Sequence, residues 1–212
     1  KTGENQELIK VTFSDETSIE CTKYHKFHIQ NTLESAFATV EILEAQKLKE
    51  NMTLIKCEYP IIDNEQTMKY PYIQGNLCGD GAYVRHTIML PPDLDKIDLV
   101  RAVPINYSLR SKLDWFAGYC DANGYINDGD QSLQMRSHNK EYLINIKLML
   151  QTCGIFVSIF KNETKEQWRL FVSSQELQKL VNSGFNPKRL KITEHRPNRT
   201  AYRFVKVKSV EY

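Results

Sequence analysis

The sequence predicts an α+β chain, and three observations predict it. The first quarter alternates apolar and polar residues, as in Leu8-Ile9-Lys10-Val11-Thr12-Phe13, the pattern of a half-buried strand. The middle holds two segments of one outline, each with helical spacing and each ending in Asp/Asn-Gly. The last third interleaves strand patterns with amphipathic helix patterns.

Taken in order, Leu8–Phe13 reads as a strand, Ser14-Asp15-Glu16-Thr17 as a turn and Ser18–Thr22 as the return strand. Ala36–Leu48 has helical character. Thr53–Cys57 reads as a short strand ended near Pro60. Leu113, Phe116, Ala117 and Cys120 fall at i, i+3, i+4 and i+7, a helical stripe. Leu133–Ser137 is a strand, Lys140–Thr152 a helix capped by Gly154, and Phe156–Phe160 and Trp168–Val172 two further strands. Ser174–Asn182 is an amphipathic helix capped by Gly184, and Tyr202–Val207 returns to β.

The chain has 212 residues, 41% of them hydrophobic and 25% charged, which argues against disorder and low complexity. No stretch approaches 18 apolar residues, so no membrane partner is expected. The five cysteines, Cys21, Cys57, Cys78, Cys120 and Cys153, include no CxxC pair. That pattern excludes a zinc ribbon or a disulfide framework and predicts a reducing, intracellular, cytoplasmic setting. The net charge of +2 conceals an asymmetry: −5 over residues 1–68, 0 over 69–157 and +7 over 158–212. A basic last quarter fits a phosphate-backbone partner, or else a solvated face. Lys1 is not an initiator methionine and the last residues lie within a strand pattern, so the chain reads as an internal piece of something longer.

The two similar segments are Tyr72–Val84 (YIQGNLCGDGAYV) and Trp115–Ile126 (WFAGYCDANGYI). Gly75 and Gly79, like Gly118 and Ala122, lie four apart, a spacing that lets two helices approach closely. Packed side by side, the helices would bring Asp80 and Asn123 to one end. Two oxygen-bearing side chains there are a candidate Mg²⁺ site over a DNA phosphate.

These segments resemble the paired motifs of LAGLIDADG, or DOD-type, homing endonucleases. Ile73–Gly81 aligns with the first motif and Phe116–Gly124 with the second, Arg101-Ala102-Val103-Pro104 resembles the element before the second, and Ser137–Ile155 resembles the helix after it. The flanks are similar to an intein: Thr22-Lys23-Tyr24-His25 matches the Thr-x-x-His motif, Leu48–Pro60 resembles the segment entering the endonuclease, and Arg203–Tyr212 resembles the returning strand. The wording around CTKYHKF and LIKCEYP most resembles inteins inserted in ribonucleotide reductase large subunits. The resemblance implies an α+β saddle of αββαββα type, its first half truncated, inserted in an all-β Hint splicing domain. It implies residues 1–68 and 196–212 as splicing-domain segments and 69–195 as the endonuclease. The implied partners are double-stranded DNA of the intein-less host gene and the host exteins.

By the same resemblance, His25 would activate the upstream scissile amide and Thr22 would orient it; taken alone, His25 reads as a turn histidine. Asp80 and Asn123 would hold Mg²⁺, Arg101 would stand at the central element, and Arg85, Arg136 and Arg169 would line a DNA-facing sheet unless merely solvated. Two departures stand out. The metal position is normally acidic in both copies, and here the second is Asn123. The central lysine is replaced by Arg101, which keeps charge but cannot act as a tunable base. The copies lie 43 residues apart and only residues 82–112 separate Gly81 from Leu113. With strands of about 5–6 residues and helices of about 11–12, that holds a hairpin and one helix, not a full half-domain. The expectation is a degenerate endonuclease within an intein. The alternatives are a non-cleaving, maturase-like DNA- or RNA-binding protein and an active Mg²⁺-dependent endonuclease or nickase.

Overall fold

A computed structural model describes residues 6–15, 17–31, 39–55, 58–79, 91–92, 102–162, 166–193 and 204–212. In chain order the elements are β1 (Leu8–Phe13), β2 (Ser18–Thr22), β3 (Lys26–Asn31), β4 (Thr39–Glu44) and β5 (Thr53–Ile55), then α1 (Pro71–Cys78) and α2 (Leu109–Asn123). They continue with β6 (Gly124–Ile126), β7 (Leu133–Ser137), α3 (Lys140–Gln151), β8 (Ser158–Asn162), β9 (Gln167–Val172), α4 (Ser174–Asn182) and β10 (Phe204–Glu211). The chain divides into two compact units: Lys1–Cys57 with Tyr202–Tyr212, and Glu58–Ala201.

The first unit is built on a six-stranded sheet of order β2-β1-β10-β5-β3-β4, every described pair antiparallel. β10 is the strand that makes it one sheet. Its second half pairs β1 (Val11↔Val210) and its first half pairs β5 (Val205↔Leu54). Alternation does the rest: Ile9, Val11, Cys21, Ile29, Leu54 and Val207 point into one core, which Ala45 and Leu48 complete. Of the helix read over Ala36–Leu48, residues 36–38 lie outside the described residues and 39–48 are not α-helical. Residues 39–44 form β4, paired along its length with β3, and only Ala45–Lys47 make a 3₁₀ turn. Thr39, Val40 and Ile42 are β-branched, and the open ladder of β3 gives their backbone partners that an isolated helix would not.

The second unit carries the order αββαββα from α2 to α4, with a four-stranded antiparallel sheet β6-β7-β9-β8. Each later helix starts on a side-chain cap: Ser108 accepts from the Ser111 amide, Asn139 from Tyr142 and Ser173 from Glu176. One sheet face supplies Leu133, Met135, Ile159, Leu170 and Val172 to a core shared with Phe116, Leu143, Ile146, Leu150, Leu177 and Leu180. Residues 58–70 are stitched to this unit. Ile61 pairs Cys153, the Ile62 amide donates to Thr152 O, and Asp63 accepts from the Leu109 amide at the start of α2. Lys112 is fully buried there, its ammonium donating to Ile62 O at 2.6 Å and to Thr152 Oγ1 at 3.0 Å.

Cys21, Cys78, Cys120 and Cys153 are free thiols. Burial pushes Cys153 up from 9.0 to about 11, Cys120 well above its ordinary value, and Tyr119 from 10.0 to about 12. Folding therefore favours the neutral forms. Below pH 9 that contribution is complete; as pH rises from 9 through 11 the unfolded chain ionises first and stability falls. Denaturant titrations across this window should show a steady loss above pH 9, and Cys120 and Cys153 should resist a thiol reagent until the chain is unfolded. Rapid labelling of either in the native protein would contradict it.

Candidate nucleic-acid interface

The site begins with two helices in backbone contact. A Cβ added at Gly75 would lie 1.9 Å from Trp115 O, and one at Gly118 would lie 1.9 Å from Tyr72 O. Only glycine permits that approach. Asn76, fully buried, spans the seam by donating to Gly118 O at 3.1 Å. At the end of the pair, Gly79 faces Ala122 and the Asn123 amide: an added Cβ would lie 2.4 Å from Ala122 Cβ and 3.0 Å from Asn123 Nδ2. Gly124 is the C-cap of α2: its amide donates to Cys120 O and, with φ at −91°, its backbone runs extended into β6. Close approach explains why this cap is a glycine, since a Cβ there would meet Cys120 O at 2.8 Å.

The C-terminal end of α2 is held by a segment far along the chain. Arg189 donates to the carbonyls of Cys120 (3.2 Å), Asp121 and Gly124 (2.5 Å). A guanidinium on the last carbonyls satisfies groups the helix cannot and opposes the negative end of its dipole. Asp121, 1% exposed, accepts from the Tyr72 hydroxyl at 2.6 Å and from the amides of Lys188 (2.5 Å) and Leu190 (3.1 Å). Asp121 is thus committed to joining α1, α2 and residues 188–190. Of the expected metal pair, Asn123 is half-buried beside Gly79, and Asp80 lies outside the described residues. A hard cation takes anionic oxygen ligands. The described groups at this end are a neutral amide, a spent carboxylate and a guanidinium, and by themselves they do not fit Mg²⁺.

The sheet supplies a second surface. Its register places Tyr125, Gln134, Phe171 and Ser158 in one row, and Arg136, Arg169 and Phe160 in the next, all on the face opposite the core. Arg136 and Arg169 are thereby brought directly opposite each other. The Arg136 guanidinium lies over the Tyr125 ring at 5.4 Å, and that of Arg169 over Phe160 at 5.9 Å. Gln134 is buried beneath them: its Oε1 accepts from the Tyr125 hydroxyl at 2.6 Å and from Arg169 at 3.4 Å, and its amide donates to Ser132 Oγ at 3.0 Å. Sequence reasoning missed Gln134, Tyr125, Phe160 and Arg189. The alternation around Ile159 and Leu170 was the signal for Phe160. Nothing local signals Arg189, whose partners are 65 or more residues away.

Arg85 and Arg101 lie outside the described residues. In the first unit, Thr22 ends β2 and exposed His25 precedes β3. The turn between them is closed by the His25 amide on Thr22 O at 3.0 Å, and the imidazole packs edge-on against Phe27 at 5.1 Å. Among the described residues no helix is long and apolar enough to cross a membrane.

Comparison with known proteins bears on this second unit first. Residues 111–183 match the LAGLIDADG-like domain, a span that runs from the start of α2 to the end of α4. The chain is also similar to the ribonucleoside-diphosphate reductase large subunit of Invertebrate iridescent virus 6, at 32% identity over 275 aligned positions covering 99% of this chain. It spans about 28% of that protein's length.

Proposed function

We propose that the chain is the interior of an intein, in which a Hint-type β unit is interrupted by a LAGLIDADG domain that binds nucleic acid but no longer makes double-strand breaks. The observation that carries this reading is the discontinuity of the first unit. Strand β10 closes a sheet with β1 and β5, and the entire LAGLIDADG-like segment lies between them in sequence. Similarity to a reductase large subunit supports that host class, with its flanking polypeptide as the exteins. The alignment's 275 positions exceed the 212 residues here, so at least 63 positions of the relative have no counterpart.

His25 would donate to the scissile amide nitrogen at the upstream junction, with Thr22 holding the turn that presents it. In the endonuclease, Asp80 alone would bring a carboxylate to the metal position, Asn123 being neutral. Intact, a pair of such sites works because each metal neutralises charge at one scissile phosphate.

The experiment places the chain with its natural flanking sequence between two reporter domains. Joined reporters and an excised product are expected, and His25→Ala should suppress cleavage at the upstream junction. No joined product in any flanking context would end the intein reading. Separately, a supercoiled plasmid carrying the uninterrupted host gene should not be linearised in Mg²⁺. Linear product would overturn the loss of double-strand cleavage.

A further inference from the structure

We infer that the cavity beside Tyr59 and Ile61 docks an extended segment of another protein, which seats one large apolar side chain there and carries Lys or Arg alongside. The site belongs wholly to the second unit, and it goes beyond both the splicing and the nucleic-acid readings.

The cavity, about 360 Å³, opens between residues 58–61, the turn after α3 and the end of α4. That is near the lower limit for a small-molecule site, and it has room for one large side chain. The apolar part of its wall is Tyr59, Ile61, Cys153, Ile155 and Phe156. The rings of Tyr59 and Phe156 pack together at 4.6 Å, and the Tyr59 hydroxyl is fixed by accepting from Gln151 Nε2 at 2.9 Å. Ile61 stands at the mouth. A Cβ built at Gly154 would lie 3.4 Å from its Cγ1, yet the residue is 57% exposed. An exposed isoleucine alone is ordinary surface. Beside an apolar recess it extends the area that a partner would cover.

The backbone here favours an extended partner. Ile61 bridges Cys153 antiparallel, and it is the Ile62 amide that donates to Thr152 O, at 2.8 Å. In such a pair the N–H and C=O of Ile61 itself point away from Cys153. An added strand can pair with them while its alternate side chains reach the cavity.

Charge selects the partner's chemistry. Two charged residues line the cavity, Glu58 and Lys179. Lys179 is already engaged, its ammonium 2.7 Å from the buried Glu176 carboxylate and over the Phe156 ring at 5.7 Å. Residues 58–65 add Asp63 and Glu65 to Glu58 and contain no cation. Asp63 accepts from the Leu109 amide and stays exposed. Lys112, whose ammonium donates to Ile62 O, is buried beneath this run. An acidic run beside an apolar recess complements a basic, apolar peptide and repels a phosphate backbone.

The test is fluorescence anisotropy of the full chain with three labelled peptides, TKTKLKTKT, TKTKAKTKT and TETELETET. The first should bind, and its binding should shift the amide resonances of residues 59–62 and 153–156. The alanine peptide should bind roughly 10-fold or more weakly, the effect of leaving out one buried apolar side chain. The glutamate peptide should also bind more weakly, and Glu65→Lys should narrow the gap between it and the lysine peptide. Ile61→Ser should weaken the first peptide by a similar factor of roughly 10. It should melt like the parent, because Ile61 is exposed, and that separates a lost site from a lost fold. Equal binding of the three peptides, no binding of any, or full affinity in Ile61→Ser would overturn the inference. A dimer in sedimentation that Ile61→Ser abolishes would overturn it too, since the occupant would then be a second copy of this chain. Displacement of the bound peptide by duplex DNA would refute the separation of this site from nucleic acid.

Discussion

Asp121→Ala is expected to destabilise the LAGLIDADG-like unit by about 3–5 kcal/mol. The carboxylate accepts three hydrogen bonds at 1% exposure, from Tyr72, Lys188 and Leu190. Alanine would leave all three donors facing apolar surroundings, and each unsatisfied group costs about 1–3 kcal/mol before water enters to relieve part of it. The loss should lower the melting temperature of that unit by about 10 °C. It should also release residues 188–190 from the end of α2, visible as faster amide exchange at Lys188 and Leu190. A variant within about 1 kcal/mol of the parent would mean that water already serves these donors. Because the same carboxylate sits two residues before Asn123, it also keeps position 123 where Gly79 meets it.

Gly118→Ala should destabilise the same unit by about 2–4 kcal/mol. In an ordinary helix interior the change would be favourable by about 1 kcal/mol. Here the new methyl would lie 1.9 Å from Tyr72 O and 2.8 Å from its carbonyl carbon, both backbone atoms of α1. Backbone cannot rotate aside, so the helices must separate, and overpacking of this kind costs about 1–3 kcal/mol or more. Separation also stretches the Asn76 bond to Gly118 O. Gly75→Ala should behave alike, because its methyl would strike Trp115 O. The double variant should cost clearly less than the sum, since one widened seam admits both methyls. Strict additivity in chemical denaturation would show that the two contacts are independent and the seam is not a rigid unit.

Much of this was legible in the sequence, for identifiable reasons. Leu133–Ser137 and Ser174–Asn182 were read with their observed bounds, because alternation and a serine cap are local signals. The glycine seam was legible too, since small residues four apart have few other uses in a helix pair. Ala36–Leu48 was misread because its β character depends on pairing with β3, a tertiary fact. Gly124, at the Asn-Gly end of the second segment, does cap α2; that the cap must be glycine follows from crowding by Cys120 O, which no local pattern shows. Asp121 lies within the second motif, but its partners at 188–190 are 67 or more residues away and leave no local signal. Arg136 and Arg169 were legible as outward residues. That their guanidinium groups sit over Tyr125 and Phe160 depends on strand register.

The sheet that β10 completes has a consequence for synthesis. Val11 must find Val210 and Leu54 must find Val205, contacts that span most of the chain. Doubling a loop adds only about 0.6 kcal/mol to its closure, so the long detour through the second unit is thermodynamically mild. In time it is not mild. While the ribosome makes residues 58–201, β1 and β5 each wait with an unpaired edge, the state in which strands recruit the wrong neighbour. The second unit is compact and formed from one continuous stretch of chain, so it can fold during that wait. The order of maturation is therefore written into the connectivity: the inserted unit first, the enclosing sheet last.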